Sequence, residues 1–379
     1  MSSNKHIAII GAGLAGATLA NKLMSAGCAV TLYEKSRGTG GRIASCRLQD
    51  TCTDKGANKG ANKSADLGAP FLSPASDEFR HWLAQQPCVR QWSPCIYDFN
   101  GVACESNEAN RQNHSHFIAT PRQSALTREL TQGADLRTSV RVGQLLPARD
   151  QESESKRHEA QQQNKHSQVL LYDEHGKRLG CYDAAIVAAP AKQAAPLLET
   201  VPRFMRQAET ATPSISWVLV LHINSTLPIT AELIEGQHPV LFRCIKDSAK
   251  PARASTSGNG NNSNASCEVW VLEATPEWSA LHRDSQPEYV AEQLKLAFLS
   301  LLSREFNANP TIMAERVHRW LYSRHTNQDS DQQVSPGYLW DADTHIGACG
   351  DWLESGDIEG AWLSANKLAD QVISQLNLK

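Results

Sequence analysis

The chain lacks the residue patterns of several common protein classes. Its 10 cysteines form no CxxC pair and no zinc-spaced cluster, and its 13 histidines form no HExxH motif. A disulfide framework and a metal centre are therefore not predicted. Free thiols in a reducing, cytoplasmic compartment are the simplest interpretation.

The chain also has little net charge and no long uninterrupted apolar run. The formal net charge is −3 and no basic stripe is present, so a nucleic-acid partner is not expected. The apolar stretch 7–20 contains regularly placed glycines behind a short polar leader, which argues against a signal peptide, and no other run approaches a membrane span. A hydrophobic content of 41% is enough for sizeable cores, and 379 residues exceed one average domain.

Residues 5–42 have the pattern of a dinucleotide-binding strand–helix–strand unit. An apolar run at 7–10 predicts a buried parallel strand, helical spacing follows, and residues 29–33 predict a second strand. Between the first strand and the helix, the first glycine of a GxGxxG pattern permits the turn, the second lets the backbone approach a pyrophosphate, and the third allows close helix–strand packing. The predicted cofactor-binding residues of this turn are Gly11, Ala12, Gly13, Ala15 and Gly16.

An acidic residue and a second glycine element follow. Glu34 lies about twenty residues beyond the glycines, where a carboxylate accepts ribose hydroxyls and repels a 2′-phosphate, so FAD or NAD is favoured over NADP. After Lys35, the paired Gly40 and Gly41 let the main chain pass close to a second phosphate or to the ribityl chain. The Arg42 guanidinium suits phosphate oxygens or a flavin ring edge.

This second element, KSRGTGGR at 35–42, resembles the one that members of the flavin-containing amine oxidase superfamily carry after the fingerprint. Within the superfamily, the closer resemblance is to the renalase group. Four further segments carry it: ADLGAPFLS (65–73), YDAAIVAAPAKQAAPLL (182–198), VHRWLYS (317–323) and GACGDWLESGDIEGAWLSANKLADQVI (347–373). Two departures are TPRQS at 120–124, where the group has a Pro-Gly-Met turn, and an insertion before Ala65.

The last of these segments also has a physical interpretation. A strand is expected to end at Cys349, Gly350 gives the backbone room, and Asp351 is then placed to bond ribityl hydroxyls or pyrophosphate-linked water. A helix is predicted from about Gly360 to Leu376, with its N-terminus directed at the flavin, where the helix dipole stabilises the charge of the reduced state. Cys349 is interpreted as a buried structural thiol rather than a covalent flavin attachment, so FAD is expected to bind noncovalently.

The predicted fold class is α/β, with a Rossmann-like FAD-binding domain and a discontinuous second α+β substrate domain. Residues 134–146 and 169–187 are expected to be strands of the first domain, and 216–223, 267–274 and the helix 287–302 belong to the second. The predicted borders are 1–72, 120–195 and 335–379 for the FAD-binding domain, and 73–119 and 196–334 for the substrate domain. Further predicted cofactor positions are Lys35, Gly68, Ala69, Val142, Gly350, Asp351, Glu359, Gly360 and Ala361.

Three substrate-facing residues are predicted, Trp320, Tyr322 and His325, on or just after a strand of the substrate domain. Alternation along 319–325 would place Trp320 and Tyr322 on one face, where an aromatic ring could stack on a flat substrate. Trp320 could equally be a core aromatic, and His325 a solvent-facing loop residue. Three polar segments, 54–65, 149–167 and 250–266, cannot support a packed core and are interpreted as solvated insertions, with partner-docking loops as the alternative.

The resemblance to the renalase group implies an oxidase. In this interpretation the substrate is an isomeric dihydronicotinamide dinucleotide, which gives a hydride to flavin N5, and oxygen is the final acceptor. An amine oxidase or desaturase could share both flavin motifs. A non-catalytic binding protein resembling Rab escort proteins is the alternative of another class, and the presence of both GTGGR and GDWLESGDIEGAW argues against it.

Overall fold

The computed structural model describes residues 5–47, 64–104, 116–148, 168–223, 227–253, 267–325, 337–376 and 378. The chain divides into two compact units. Unit 1 comprises 1–41, 127–213 and 324–379, and unit 2 comprises 42–126 and 214–323.

Helices and strands are numbered in chain order over the described residues. The strands are β1 (His6–Ile10), β2 (Ala29–Glu34), β3 (Ser45–Arg47), β4 (Ser64–Asp66), β5 (Val89–Trp92), β6 (Ile96–Tyr97), β7 (His116–Ala119), β8 (Asp135–Thr138), β9 (Val142–Pro147), β10 (Val169–Asp173), β11 (Arg178–Tyr182), β12 (Ala184–Val187), β13 (Ser216–Ile223), β14 (Leu233–Glu235), β15 (Leu241–Lys246), β16 (Glu268–Ala274), β17 (Ile312–Trp320), β18 (Leu339–Asp341) and β19 (Ile346–Ala348). The helices are α1 (Leu14–Ser25), α2 (Asp77–Gln85), α3 (Ser124–Leu130), α4 (Ala191–Leu197), α5 (Pro202–Thr210), α6 (Pro276–Leu281), α7 (Pro287–Phe306) and α8 (Ile358–Gln375).

Unit 1 is built on a six-stranded sheet of order β18-β19-β12-β1-β2-β8, parallel except at the β18 edge. Because its central strands are covered on both faces, they consist of nearly continuous apolar residues. On one face Ile7 and Ile9 pack with α1 and α8. On the other face Ala8 and Ile10 pack with the three-stranded antiparallel sheet β11-β10-β9 and with α4 and α5.

Unit 2 is built on a six-stranded sheet of order β17-β13-β16-β15-β14-β6, antiparallel except for the β14–β6 pair. Side chains alternate between its faces. Trp217 and Leu219 lie on the face that packs against α7, whereas Val218 and Val220 lie on the face that packs against Ala65 and Leu67, in and just after β4. Two small antiparallel pairs, β3–β4 and β5–β7, complete the unit.

The α/β class and the Rossmann-like unit predicted from the sequence are confirmed. The predicted elements at 7–10, 29–33, 216–223 and 267–274 are all strands of the structure, and α7 extends one turn beyond the predicted helix. Two predicted strands were too long. Residues 134–146 are divided into β8 and β9, and 169–187 into β10, β11 and β12. Ser139 and Gly176 have positive φ angles of 58° and 79°, which end regular strands between β8 and β9 and between β10 and β11.

The two compact units do not follow the predicted borders. Residues 196–213 and 324–334 fall in unit 1 rather than in the predicted substrate domain, because Phe204 and Ala208 of α5 belong to the core that includes α4. Residues 42–72 and 120–126 fall in unit 2, because the apolar residues of β3 and β4 pack on its sheet.

Two of the three polar segments are described in part. Of 54–65, residues 64 and 65 belong to β4 and Ala65 is 1% exposed in the core of unit 2, so the interpretation as a solvated insertion was wrong for them. Of 250–266, residues 250–253 are described. Lys250 is 2% exposed, and the Arg253 side chain is 5% exposed. The interpretation of 250–266 as a solvated insertion was therefore wrong for Lys250 and Arg253, because both cations are paired with the buried Asp66 carboxylate far away in the sequence, whereas Ala252 between them is exposed. Residues 54–63, 149–167 and 254–266 lie outside the described residues. Among the described residues, no helix is long and apolar enough to cross a bilayer.

We expect Gly16 to be essential for the folding of unit 1. A Cβ atom added at Gly16 would lie 1.9 Å from the Gly11 carbonyl oxygen, whereas at the exposed Gly38 a Cβ atom would meet nothing within 4 Å. Gly16→Ala should lower the free energy of unfolding by at least about 1–3 kcal/mol, as overpacking does in cores. Gly38→Ala is the control. Denaturant unfolding of both variants measures the difference, and equal stability would contradict the tight helix–strand contact.

Candidate functional site

The turn after β1 is shaped by packing within the protein. Gly11 has a φ angle of +110°, and its amide donates to the carbonyl oxygen of Tyr33 at 2.8 Å. A Cβ atom there would lie 2.5 Å from the Ala188 carbonyl oxygen. Gly11, like Gly16, is therefore required by the backbone conformation and by close neighbours, in agreement with the roles predicted for the first and third glycines.

Gly13 is different. It has an ordinary extended backbone, with φ −74° and ψ −173°, and an added Cβ atom would have only one protein neighbour within 4 Å, the Gly41 Cα at 3.9 Å. Nothing among the described residues therefore requires glycine at this position. The backbone there is left accessible to a bound group, as the prediction for the second glycine of the fingerprint demands.

Gly13 is also the N-cap residue of α1, and it offers no side chain to the helix. No side chain caps this end, and the first turn holds no acidic residue. Leu14, Ala15 and Gly16 are nevertheless buried. A buried helix N-terminus without a cap presents amide donors and the positive end of the helix dipole, which together favour an anionic group such as a phosphate.

Glu34 is held by the backbone around this turn. Its side chain is 7% exposed, one carboxylate oxygen accepts the Ala12 amide at 2.9 Å, and the other accepts the Ser36 amide at 2.8 Å. The sequence predicted a ribose-binding carboxylate, and the structure adds a structural role. Each oxygen retains a second lone pair, so both roles are compatible.

The second glycine element lies against the first. The Gly40 amide donates to the Ala12 carbonyl oxygen at 2.9 Å. Gly41 has a φ angle of +53°, and a Cβ atom there would lie 3.0 Å from the Gly13 Cα. The structure thus brings together the predicted cofactor residues of 11–16, 34, 40 and 41. The neighbouring Lys35 is exposed and donates to Gln193 at 2.7 Å.

The C-terminal motif begins after β19, again in unit 1. Gly350 donates its amide to the Ser364 hydroxyl at 3.0 Å, and a Cβ atom on it would lie 2.8 Å from the Trp352 indole nitrogen. Asp351 is 1% exposed, and its carboxylate lies 3.0 Å from the His325 Nδ1 atom. The motif is therefore closely packed around Asp351, the residue that was predicted to bond ribityl hydroxyls or pyrophosphate-linked water.

His325 is not a solvent-facing loop residue. It is 5% exposed and belongs to unit 1, where its amide donates to the Gly356 carbonyl oxygen at 3.2 Å. Its Nε2 atom is buried and has no hydrogen-bond partner among the described residues. Since Asp351 occupies Nδ1, Nε2 is the atom left to meet a bound polar group. This pair could not be predicted from local sequence patterns, because 26 positions separate the two residues.

The predicted C-terminal helix is α8, which begins two residues earlier than expected. Asp357 caps it by accepting the Gly360 amide at 2.8 Å. Glu359, Gly360 and Ala361 are buried in its first turn. A carboxylate at this N-terminus already satisfies one free amide, so α8 is less open to an anion than α1 is. Its orientation towards a flavin stays a prediction.

Three predicted cofactor residues belong to unit 2 and contact one another. The Ala69 amide donates to the Arg42 carbonyl oxygen at 2.8 Å, and a Cβ atom on Gly68 would lie 1.8 Å from that oxygen. The Arg42 guanidinium donates to the Ser323 carbonyl oxygen at 3.3 Å. Val142, the remaining position, is buried in the core of unit 1 at the start of β9.

Trp320 and Tyr322 do not share the strand face that was predicted for them. β17 ends at Trp320, and Tyr322 follows in a turn, so strand alternation cannot be extended to it. Trp320 is half-buried against the core of unit 2, and its indole N–H donates to the Leu67 carbonyl oxygen at 3.0 Å. The residue thus supports the segment that contains Gly68 and Ala69.

Comparison with known proteins supports the fold. A family model described as an NAD(P)-binding Rossmann-like domain matches residues 9–85. A cyclohexylamine oxidase from Brevibacterium oxydans IH-35A has a similar structure, with a TM-score of 0.64 and 12% identity over 99% of this chain and 100% of that one. At this identity the likeness shows a shared fold.

Two further solved structures are similar over nearly the whole chain. A putrescine oxidase triple mutant, redesigned in its cofactor binding, has a TM-score of 0.62 and 11% identity over 98% of this chain and 99% of its own. A protein from Exiguobacterium sp. 255-15, provisionally named a protoporphyrinogen oxidase, has a TM-score of 0.61 and 11% identity over all of both chains. Among the residues that the structure describes, no group of three or more metal-ligating side chains is assembled.

We expect Glu34→Gln to destabilise the glycine turn even without a bound ligand. A glutamine side chain has one uncharged carbonyl oxygen, so one of the amides of Ala12 and Ser36 must lose its acceptor and the other keeps only a neutral one. The free energy of unfolding of the ligand-free protein should fall by about 1–3 kcal/mol. The exposed Glu199→Gln in the same unit is the control. A Glu34→Gln variant as stable as that control in denaturant unfolding would rule out the structural role.

Proposed function

We propose that this protein binds FAD noncovalently and is an FAD-dependent oxidoreductase. The observation that carries the proposal is the uncapped N-terminus of α1, where a Cβ atom added at Gly13 would have no protein neighbour closer than 3.9 Å. This arrangement suits a pyrophosphate. The Rossmann-like family match and the fold shared with enzymes named as oxidases support it.

The charge of the turn is consistent with an unphosphorylated ribose. The buried Glu34 carboxylate accepts hydroxyl groups and repels a 2′-phosphate. FAD, when bound, supplies the atom that accepts a hydride, so the protein need only bind and orient the reactants and shield them from water. In this proposal the amides of α1 hold the pyrophosphate, and the His325–Asp351 pair offers Nε2 to a polar group of the cofactor.

Noncovalent binding is supported by the environment of Cys349. This thiol is fully buried, and burial raises its pKa to about 12. The thiolate, which is the nucleophilic form, is therefore strongly disfavoured at neutral pH. Acid precipitation of the purified yellow protein should release all of the flavin into the supernatant. Flavin that stays with the precipitated protein would contradict noncovalent binding.

The FAD site is tested by Gly13→Val. The structure leaves room for the side chain on the protein side, so the variant should fold, but its methyl groups would occupy the space needed by the pyrophosphate. FAD content should fall to near zero while the melting temperature of the flavin-free protein stays unchanged. Ser25→Val, at the other end of α1, is the control and should keep full flavin. A colourless wild-type protein would favour a non-catalytic binding protein, and a yellow Gly13→Val would exclude this placement.

For the substrate we propose an isomeric dihydronicotinamide dinucleotide, with oxygen as the final acceptor. The proposal rests on the resemblance of VHRWLYS and the C-terminal motif to the renalase group, and on the half-buried Trp320 as a ring that can stack on a nicotinamide. Amine oxidation is the second candidate. The shared fold with a cyclohexylamine oxidase and a putrescine oxidase favours it.

Anaerobic flavin bleaching separates these two candidates. We expect a misreduced dihydronicotinamide to bleach the flavin faster than primary or secondary amines do. Trp320→Ala should slow this step, whereas Trp320→Phe, which keeps an aromatic ring but loses the bond to Leu67, should largely preserve it. An equal decrease in the bleaching rate in both variants would show that Trp320 acts through its hydrogen bond to Leu67 and does not stack on the substrate. Bleaching by an amine and by no dihydronicotinamide would overturn the substrate proposal.

A further inference from the structure

Four charged side chains of unit 2 form a buried network that the sequence did not reveal. Asp66 ends β4, Asp247 begins a short 3-10 turn, and Lys250 and Arg253 follow that turn. Their side chains are between 0% and 5% exposed. The Lys250 ammonium donates to Asp66 at 2.9 Å and to Asp247 at 2.5 Å, and Arg253 is paired with Asp66.

The network is balanced in charge, with two carboxylates and two cations. Burial alone would raise the pKa of Asp66, but Lys250 and Arg253 outweigh burial and hold this pKa below its usual value. Burial and the neighbouring Asp66 raise the pKa of Asp247. Removing one partner of such a network leaves an uncompensated buried charge, which is strongly destabilising, although apolar replacements of the whole network need not be. A contribution to the stability of the fold therefore does not by itself explain why four charged residues are buried here.

The network joins a segment that carries the flavin resemblance to one that departs from it. The second carboxylate oxygen of Asp66 accepts the Ser45 hydroxyl at 2.8 Å and the Gln123 amide at 3.0 Å. Arg253 donates to the carbonyl oxygen of Pro121. The network thus fixes 65–73 and the unusual turn 120–124 to one another, although they are distant in the sequence.

The segment that begins at Asp66 is held by hydrogen bonds and close contacts. The amides of Leu67 and Gly68 donate to the Ala44 carbonyl oxygen, at 3.0 and 3.3 Å. Gly68 lies so close to the Arg42 carbonyl oxygen that even a methyl group would not fit. The Gln123 side chain also contacts this segment, because its Nε2 atom donates to the Ala69 carbonyl oxygen at 3.4 Å.

We propose that Asp66, Asp247, Lys250 and Arg253 are positioning residues for the flavin. They act through the backbone of Gly68, Ala69 and Arg42, which are the predicted contacts, and do not touch the cofactor. This inference rests on the proposed function. The Asp66 carboxylate also connects the turn 120–124 to this network, because it accepts the Gln123 amide. In this turn the chain departs from the renalase pattern.

Lys250→Met tests the proposal, with Lys246→Met as the matched control. Lys246 is paired with Glu268 at 2.5 Å on the six-stranded sheet of unit 2, with side chains 16% and 4% exposed, but this pair has no hydrogen bond to the segment 66–69 among the described contacts. We expect Lys250→Met to weaken FAD binding by at least about tenfold, equivalent to 1.4 kcal/mol. Amide hydrogen exchange of 67–69 in the flavin-free protein should accelerate by a similar factor. Lys246→Met should change neither quantity, although it too loses an ion pair.

A charge-balanced double variant separates positioning from folding. Lys250→Met with Asp247→Asn leaves Asp66 paired with Arg253 and no surplus charge. We expect it to recover most of the melting temperature lost in Lys250→Met, while FAD affinity and exchange at 67–69 stay impaired.

The outcomes are distinguishable. A double variant with restored stability and wild-type FAD affinity would overturn the positioning role, and so would equal effects of Lys250→Met and Lys246→Met. A wild-type protein that binds no FAD would overturn the proposed function and with it the flavin part of this inference. The exchange measurement would then still decide whether the network orders the segment 67–69.

Discussion

The contact between the glycine turn and the Glu34 carboxylate is the constraint on which the candidate site depends. Glu34 ends β2, and its two oxygens hold the amides of Ala12 and Ser36. The carboxylate therefore fixes the turn that begins α1 relative to the end of the neighbouring strand. Because Gly40 donates to Ala12, the second glycine element is fixed by the same turn. A bound phosphate would meet an arrangement that is already in place, so little ordering would oppose binding.

The three glycines of the fingerprint have separate physical origins. Gly11 and Gly16 are required by the protein itself, since added Cβ atoms would collide with backbone oxygens. No contact within the described protein requires glycine at position 13, so a glycine there is explained by a ligand that approaches the turn. A chain that needed only a tight strand-to-helix connection would have no reason for a small residue there. This asymmetry is stronger evidence for a ligand than the spacing of the glycines.

The local elements of the fold were predictable, and the long-range contacts of the site were not. The strands β1, β2 and β13 and the helix α7 follow from apolar periodicity, because neighbouring residues decide them. Lys250 and Arg253 stand at the start of a polar run and resemble solvated residues. Their burial depends on Asp66, 184 positions away from Lys250, and periodicity carries no information about such a partner. The same holds for His325, whose environment is set by Asp351.

Buried carboxylates in this protein are compensated in two ways, and the difference bears on their tolerance to change. Glu34 is compensated by backbone amides, which persist whatever side chains surround them. Asp66 is compensated mainly by Lys250 and Arg253, which a single substitution can remove. The first arrangement belongs to the local geometry of the glycine turn. The second arrangement requires three distant segments to meet, so the loss of one cation leaves a buried carboxylate without its full compensation.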